Sequence, residues 1–128
     1  MKTIVVAAAV MERDGRFLVT RRQPGVHLAG YWEFPGGKCE PDEAIGACLQ
    51  RELREELAIE AEIAGEILAT SHAYGDRIVE LHFVRCVAVG EPHPQLGQEV
   101  RWVARADLPA LRFPPADDDL IRLLVEQS

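Results

Sequence analysis

Residues 37–59 read GKCEPDEAIGACLQRELREELAI, and their apolar spacing predicts a helix from Asp42 to about Leu57. Asp42, just after Pro41, is a residue type that caps helix starts. At 3.6 residues per turn, Ile45, Leu49, Leu53 and Leu57 form one stripe, the face turned to a core. Glu52, Glu55 and Glu56 stand at i, i+3 and i+4 and share a patch. On the helical wheel Glu56 falls between Ile45 and Leu49, so the patch borders the apolar stripe rather than open water.

That placement works against stability. Like charges at i, i+4 repel, and partial burial adds a desolvation cost that raises carboxyl pKa values. Arg51 and Arg54 relieve part of the strain. A hard divalent cation relieves it better, because Mg²⁺ takes oxygen ligands and keeps several waters, which suits clustered carboxylates and a polyphosphate. A solvated, salt-bridged helix face would explain the Glu/Arg composition, but not an acid on the core stripe.

Outward from the helix, Ile4–Val10 is an apolar, β-branched run that reads as a buried strand. Asp14-Gly15 supplies a hairpin turn, and Phe17–Arg21 returns as its partner. Residues 22–31 form a loop, and Trp32–Phe34 is a short strand ended by Pro35-Gly36-Gly37. Downstream, Ile63–Thr70 and Ile78–Val89 are strands around a Tyr74-Gly75-Asp76 turn. A loop over 90–98 leads to a strand at Val100–Val103 and a helical turn within Ala104–Leu111. Asp117 starts a last amphipathic helix through Leu120, Ile121, Leu124 and Val125. The order predicts one domain over residues 1–128, an α/β (α+β) sandwich with a mixed sheet and two main helices.

At 128 residues the chain can bury a core without disulfide staples. Its three cysteines, Cys39, Cys48 and Cys86, have no CxxC spacing and read as free thiols. No run is long enough to span a bilayer, and the apolar start meets Glu12, Arg13 and Asp14 too soon for a signal peptide. A cytoplasmic protein without a membrane partner is expected. The net charge of −7 argues against a stable nucleic-acid partner, but not against a small polyanion bridged by a cation.

With Gly37, Glu43, Arg51, Glu52, Glu55 and Glu56 at these spacings, the segment resembles the Nudix box. Six such matches would coincide by chance at roughly 10⁻⁷ per start site. One position departs: Ala58 stands where the family has glycine, at the left-handed exit of the helix. The resemblance is to the MutT branch, through Thr20-Arg21-Arg22, His27-Leu28-Ala29, Glu33-Phe34-Pro35-Gly36-Gly37-Lys38 and Phe113-Pro114-Pro115-Ala116-Asp117. Bacterial CTP pyrophosphohydrolases are equally similar around Trp32-Glu33 and the box.

The resemblance implies a Nudix α/β/α sandwich and a Mg²⁺-dependent hydrolase, with Mn²⁺ as a substitute. It would release NMP and pyrophosphate from a nucleoside triphosphate, working as a monomer or homodimer. Carried over by position, Glu52, Glu55, Glu56, the Gly36 carbonyl and Glu99 would ligate the metal. Glu43 and Arg51 would orient them as an ion pair, and Glu52 or Glu99 would be the base, Glu52 preferred. Arg22 and Lys38 would hold phosphates. Phe34 would stack on the base, Arg77 would close over it, and Asp117 would read it or cap the last helix. The substrate would be an oxidised purine triphosphate such as 8-oxo-dGTP, or CTP or a modified pyrimidine triphosphate. A non-catalytic Nudix-fold binding module would be expected to lose box carboxylates that this chain keeps.

Overall fold

The computed structural model describes residues 2–127. Within them the elements are β1 (Lys2–Arg13), β2 (Arg16–Arg21), β3 (Trp32–Glu33), β4 (Gly36–Lys38), α1 (Ile45–Leu57), β5 (Glu60–Tyr74), β6 (Arg77–Val89), β7 (Glu99–Ala104) and α2 (Asp118–Glu126), with 3₁₀ turns at Arg105–Ala110 and Pro115–Asp117. The sheet runs β3-β2-β1-β6-β5, with β4 against β1 and β7 against β2. β1 and β6 are parallel from Lys2↔Arg77 to Met11↔Cys86, while β4 and β2 pair antiparallel to β1. The sheet is therefore mixed, as the sequence predicts.

β1 is apolar without alternation because both its faces are covered. Ala7, Ala9 and Met11 share one core with Leu49, Leu53 and Leu57 of α1. Ala8 and Val10 share the other with Phe17, Phe83, and Leu120 and Leu124 of α2. The sheet thus lies between two helical layers. The stripe expected on α1 is in place, with Leu49, Leu53 and Leu57 fully buried. Asp14 (φ 53°) and Gly15 (φ 76°) form the expected turn between β1 and β2, a conformation whose twist matches that of the strands it joins.

Three local expectations need correction. First, α1 starts at Ile45, not Asp42: Asp42 takes a positive φ of 66° and Ala44 stands at the N-cap with no side-chain cap. The turn before the helix is closed by Glu43 instead, whose Oε1 accepts the Glu40 N–H at 2.8 Å while its own N–H donates to Glu40 O at 3.1 Å. Second, Gly36–Lys38 is a strand rather than the end of one, because β1 offers it a free edge. Third, Cys39 and Cys48 are joined in a disulfide, Cα to Cα 5.3 Å. The chain reverses between β4 and α1 and brings together cysteines nine residues apart, which needs no CxxC spacing. Cys86 alone among the three is free and buried, and burial pushes its thiol up to about 11. Among the described residues no helix is long and apolar enough to cross a membrane.

Candidate active site

β4 leads through a six-residue loop into α1, and the two glycines at its start decide how close the helix comes. A Cβ on Gly36 would lie 1.9 Å from Ala7 O, so only a hydrogen fits between β4 and β1. A Cβ on Gly37 would lie 2.5 Å from the Glu52 carboxyl carbon and 2.5 and 2.7 Å from its oxygens. The Glu52 carboxylate therefore occupies the space that a side chain at position 37 would take. Gly36, Glu52 and Glu56 meet here at the backbone, as the box spacing requires.

Arg51 holds this arrangement from the side. Its Nη1 donates to Glu52 Oε1 at 3.0 Å and to Glu55 Oε2 at 3.4 Å. Its Nη2 also donates to Lys38 O at 3.0 Å, tying α1 to the end of β4. The guanidinium beside Glu43 lowers that carboxyl to about 2, and Arg51 is raised in return, chiefly by its hydrogen bond to Glu43. Exposure differs sharply along the patch: the side chain is 13% exposed in Glu52 and 59% in Glu55. Glu56 is partly buried, and its carboxyl is pushed up to about 8. Burial is the main cause, followed by the charges of Glu52, Glu33 and Glu55, with a hydrogen bond from the Gly36 backbone opposing.

Glu33, on β3, was not singled out in the sequence. It faces the same cavity of about 320 Å³ as Arg22, Phe34, Lys38, Glu56 and Asp117. Its Oε2 accepts from Arg22 Nη1 at 2.9 Å, and Arg22 Nε donates to His27 O at 2.5 Å. Its pairing opposite Thr20 turns it toward the buried side of β2, since Thr20 is itself buried, and nothing local in the sequence signals that pairing. Asp117 lines the same cavity. It is 7% exposed and its carboxyl is pushed up to about 7 by burial, then by Glu33 and Asp118. It occupies the N-cap position of α2 but makes no side-chain cap hydrogen bond. The expectation that it caps the helix fails because its carboxyl lines the cavity instead.

The other expected residues divide. Lys38 and Arg22 line the cavity beside Glu56. Phe34 forms part of the wall but is 4% exposed, with one face stacked on Phe113 at 5.3 Å and Phe83 edge-on at 6.4 Å. It is thus a packed wall and not an open stacking platform. Arg77 sits at the β5–β6 turn opposite Lys2. It is four residues along β6 from Leu81, a wall of the cavity, a span of about 13 Å. The structure does not bring it over the base site. Nor does it bring Glu99 to the carboxylate cluster: Glu99 accepts from Arg101 Nη2 at 2.7 Å and lies 3.7 Å from Arg21 Nη1. Its neighbour Gln98, in the loop just before β7, reaches Glu56 O instead, through Nε2 at 3.2 Å.

The NUDIX domain model matches residues 6–123. The chain belongs to the Nudix hydrolase family. The CTP pyrophosphohydrolase of Escherichia coli K12 is 48% identical over 82 residues, 64% of this chain and 61% of that protein. The 8-oxo-dGTP diphosphatase of Haemophilus influenzae is 36% identical over 129 residues, 99% of this chain and 95% of that protein. Among solved structures, the E. coli ORF135 protein superposes with a TM-score of 0.84 at 38% identity, over 97% of this chain and 87% of that one. The MutT protein from Methanosarcina mazei superposes with a TM-score of 0.84 at 22% identity, over 98% and 95%, a likeness of fold.

Nudix hydrolases use a divalent metal, and the residues here fit one. The donors around Gly36 are all oxygens, the composition a hard cation takes. Burial first, and then its neighbours' charge, push the Glu56 carboxyl up, a penalty that a cation would offset. The missing side chain at Gly37 leaves the space that the Glu52 carboxylate occupies.

Proposed function

We propose that this Nudix hydrolase is a Mg²⁺-dependent nucleoside triphosphate pyrophosphohydrolase releasing NMP and pyrophosphate, with an oxidised purine triphosphate such as 8-oxo-dGTP as substrate. The observation that carries the reading is a single cavity lined by the carboxyls of Glu56, Glu33 and Asp117 together with Arg22 and Lys38. Glu56 and the two cationic side chains suit a metal-bridged polyphosphate, and Asp117 suits a hydrogen-bonding base. At its pKa of about 7, Asp117 presents both a protonated form, which donates and accepts, and an ionised form, which only accepts.

In this reading Glu52, Glu55, Glu56 and the Gly36 carbonyl hold Mg²⁺, or Mn²⁺ in its place, and Glu99 stays with its arginines. The bound cation supplies charge neutralisation of the triphosphate and acidifies water. Glu52 takes the proton from water as the water oxygen bonds to the β-phosphorus. The bond from that phosphorus to the α–β bridging oxygen breaks, and the oxygen leaves with the monophosphate. Arg22 and Lys38 bind the phosphate oxygens and offset the acidic wall. Glu43 orients Arg51, and Arg51 orients Glu52.

CTP, or a modified pyrimidine triphosphate, is the second reading. It is favoured by the 48% identity over 82 residues to the E. coli CTP enzyme, and a carboxyl at position 117 can accept from the cytosine amino group. The test is a panel of 8-oxo-dGTP, dGTP, CTP and ATP with Mg²⁺, scored separately for pyrophosphate and phosphate. Pyrophosphate from 8-oxo-dGTP at the highest kcat/KM is the expected result, and CTP in first place moves the assignment to the second reading. Phosphate as the product, or no turnover of any triphosphate, would overturn both.

A further inference from the structure

The disulfide lies beside the metal box but takes no part in the chemistry above. Cys39 directly follows β4, and Cys48 is the fourth residue of α1. The six residues from Cys39 to Ala44 carry Glu43 between them. Their other ties are few: Cys39 N–H to Val5 O at 2.8 Å, the small turn closed by Glu40 and Glu43, and the Glu43–Arg51 ion pair. The start of α1 has no side-chain cap and no acid in its first turn. A Glu43 carboxylate oxygen and the two sulfurs lie within 4.8 Å of one another. The sulfur bridge is thus the only covalent brace on the loop that presents Glu43 to Arg51.

The two sulfurs differ in access. Cys48 is fully buried in the core with Leu49 and Leu53. Cys39 is partly exposed and lines a cavity of about 520 Å³ with Lys38, Glu40 and His82. Of the two, Cys39 is therefore the residue that a small thiolate would approach, from the side of this second cavity. Cys86, buried on β6 with its thiol held protonated, stands apart from the exchange.

We propose that Cys39 and Cys48 form a reversible dithiol–disulfide site, reduced by a small dithiol, that sets how firmly Glu43 holds Arg51 and hence Glu52. In reduction, a thiolate of the dithiol attacks the Cys39 sulfur, the S–S bond breaks and Cys48 leaves as a thiolate. The second thiol of the reductant displaces Cys39, giving the cyclic disulfide of the reductant and two protein thiols. Two electrons and two protons pass to the protein. Re-oxidation by a disulfide or peroxide reverses this. In the oxidised state the Glu43–Arg51–Glu52 chain of contacts is intact, so that state holds the metal ligands best. Reduction leaves the loop on its hydrogen bonds alone. The oxidised state is thus the firmer one under conditions that generate oxidised nucleotides, which extends the function proposed above.

The test uses the whole wild-type chain, oxidised with a peroxide or reduced with dithiothreitol. Alkylation in denaturant, read by mass, should count one thiol in the first state and three in the second. Mn²⁺ affinity, read by electron paramagnetic resonance without substrate, should fall about tenfold on reduction, the low end of what loss of an outer-sphere partner costs, and recover on re-oxidation. Cys39→Ser should bind Mn²⁺ like the reduced protein and ignore dithiothreitol, while Cys86→Ala should respond like wild type. Three thiols after oxidation, or equal Mn²⁺ affinity in the two states, would overturn the proposal. Thiol count and Mn²⁺ affinity are read without turnover, so an inactive substrate panel would sink the proposed reaction and not this site.

Discussion

Arg51 grips Glu43 with two parallel hydrogen bonds, Nε to Oε2 and Nη2 to Oε1, each at 2.9 Å. The fork matters because the remaining Nη1 is then aimed at Glu52. A lysine has the same charge but no fork. Arg51→Lys should therefore raise the half-saturating Mg²⁺ concentration by about tenfold or more, with kcat at saturating Mg²⁺ falling less. A Mg²⁺ titration of pyrophosphate release at fixed substrate decides it. An unchanged half-saturation point would show that charge alone suffices and that the fork positions nothing.

Glu55 and Glu56 are neighbours with opposite consequences for the apo protein. Glu56 is partly buried among like charges and Glu55 is mostly exposed. The folded-state pKa of Glu56, about 8, lies above its ordinary value of 4.5. The stability this group contributes is therefore present below about pH 4.5 and is lost as pH rises toward 8. Glu56→Gln should raise the melting temperature of the metal-free protein at pH 8 and flatten its decline with pH, whereas Glu55→Gln should leave both nearly unchanged. Both should lower turnover by orders of magnitude. Equal melts for the two variants would contradict the placement of Glu56. A variant turning over like wild type at saturating Mg²⁺ would remove its residue from the metal set.

Gly37→Ala would place a methyl group on the Glu52 carboxylate. The far end of a glutamate can swing away, so the fold should survive with a small loss of melting temperature. The metal set would not, because the displaced carboxylate is one of its donors. Mn²⁺ binding should weaken by about tenfold or more. Near-normal binding in a folded Gly37→Ala protein would show that Glu52 can ligate from elsewhere.

Asp117 titrates near pH 7 and makes no cap hydrogen bond. Asp117→Asn mimics the protonated acid at all pH values. Wild type should change its ranking of 8-oxo-dGTP, dGTP and CTP between pH 6 and 8, and the asparagine variant should not. Asp117→Ala should cost about tenfold to a hundredfold in kcat/KM for the best substrate, as one buried hydrogen bond implies. It should cost little stability, because no cap is lost. A fall in melting temperature with unchanged ranking would return Asp117 to the role of a helix cap.

Ala58 ends α1 in the left-handed region, φ 50° and ψ 38°, with its N–H on Arg54 O at 3.0 Å. Glycine adopts that geometry without the Cβ clash, so Ala58→Gly should stabilise by about 1 kcal/mol. Paired thermal melts are sufficient. A clear loss of stability would mean that the alanine methyl is packed and outweighs the strain.

The sequence by itself determined the mixed sheet, the core stripe of α1 and the clustered carboxylates on it, through apolar runs, a period of 3.6 and acids at i, i+3 and i+4. The left-handed exit at Ala58 is expected from the family's glycine there. The Glu43–Arg51 pair is expected from the family spacing, and the structure places the two in an ion pair at 2.9 Å. Tertiary structure alone decided what depends on distant segments meeting. Glu33 enters the site because β3 pairs with β2, and it then loads both Glu56 and Asp117 electrostatically. Asp117 gives up the cap because its carboxyl is drawn into the cavity. Arg77 and Glu99 are set apart by strand register and by competing arginines, which spacing along the chain cannot reveal. The Cys39–Cys48 bond follows from the reversal between β4 and α1, where two residues of unremarkable spacing are brought within bonding reach.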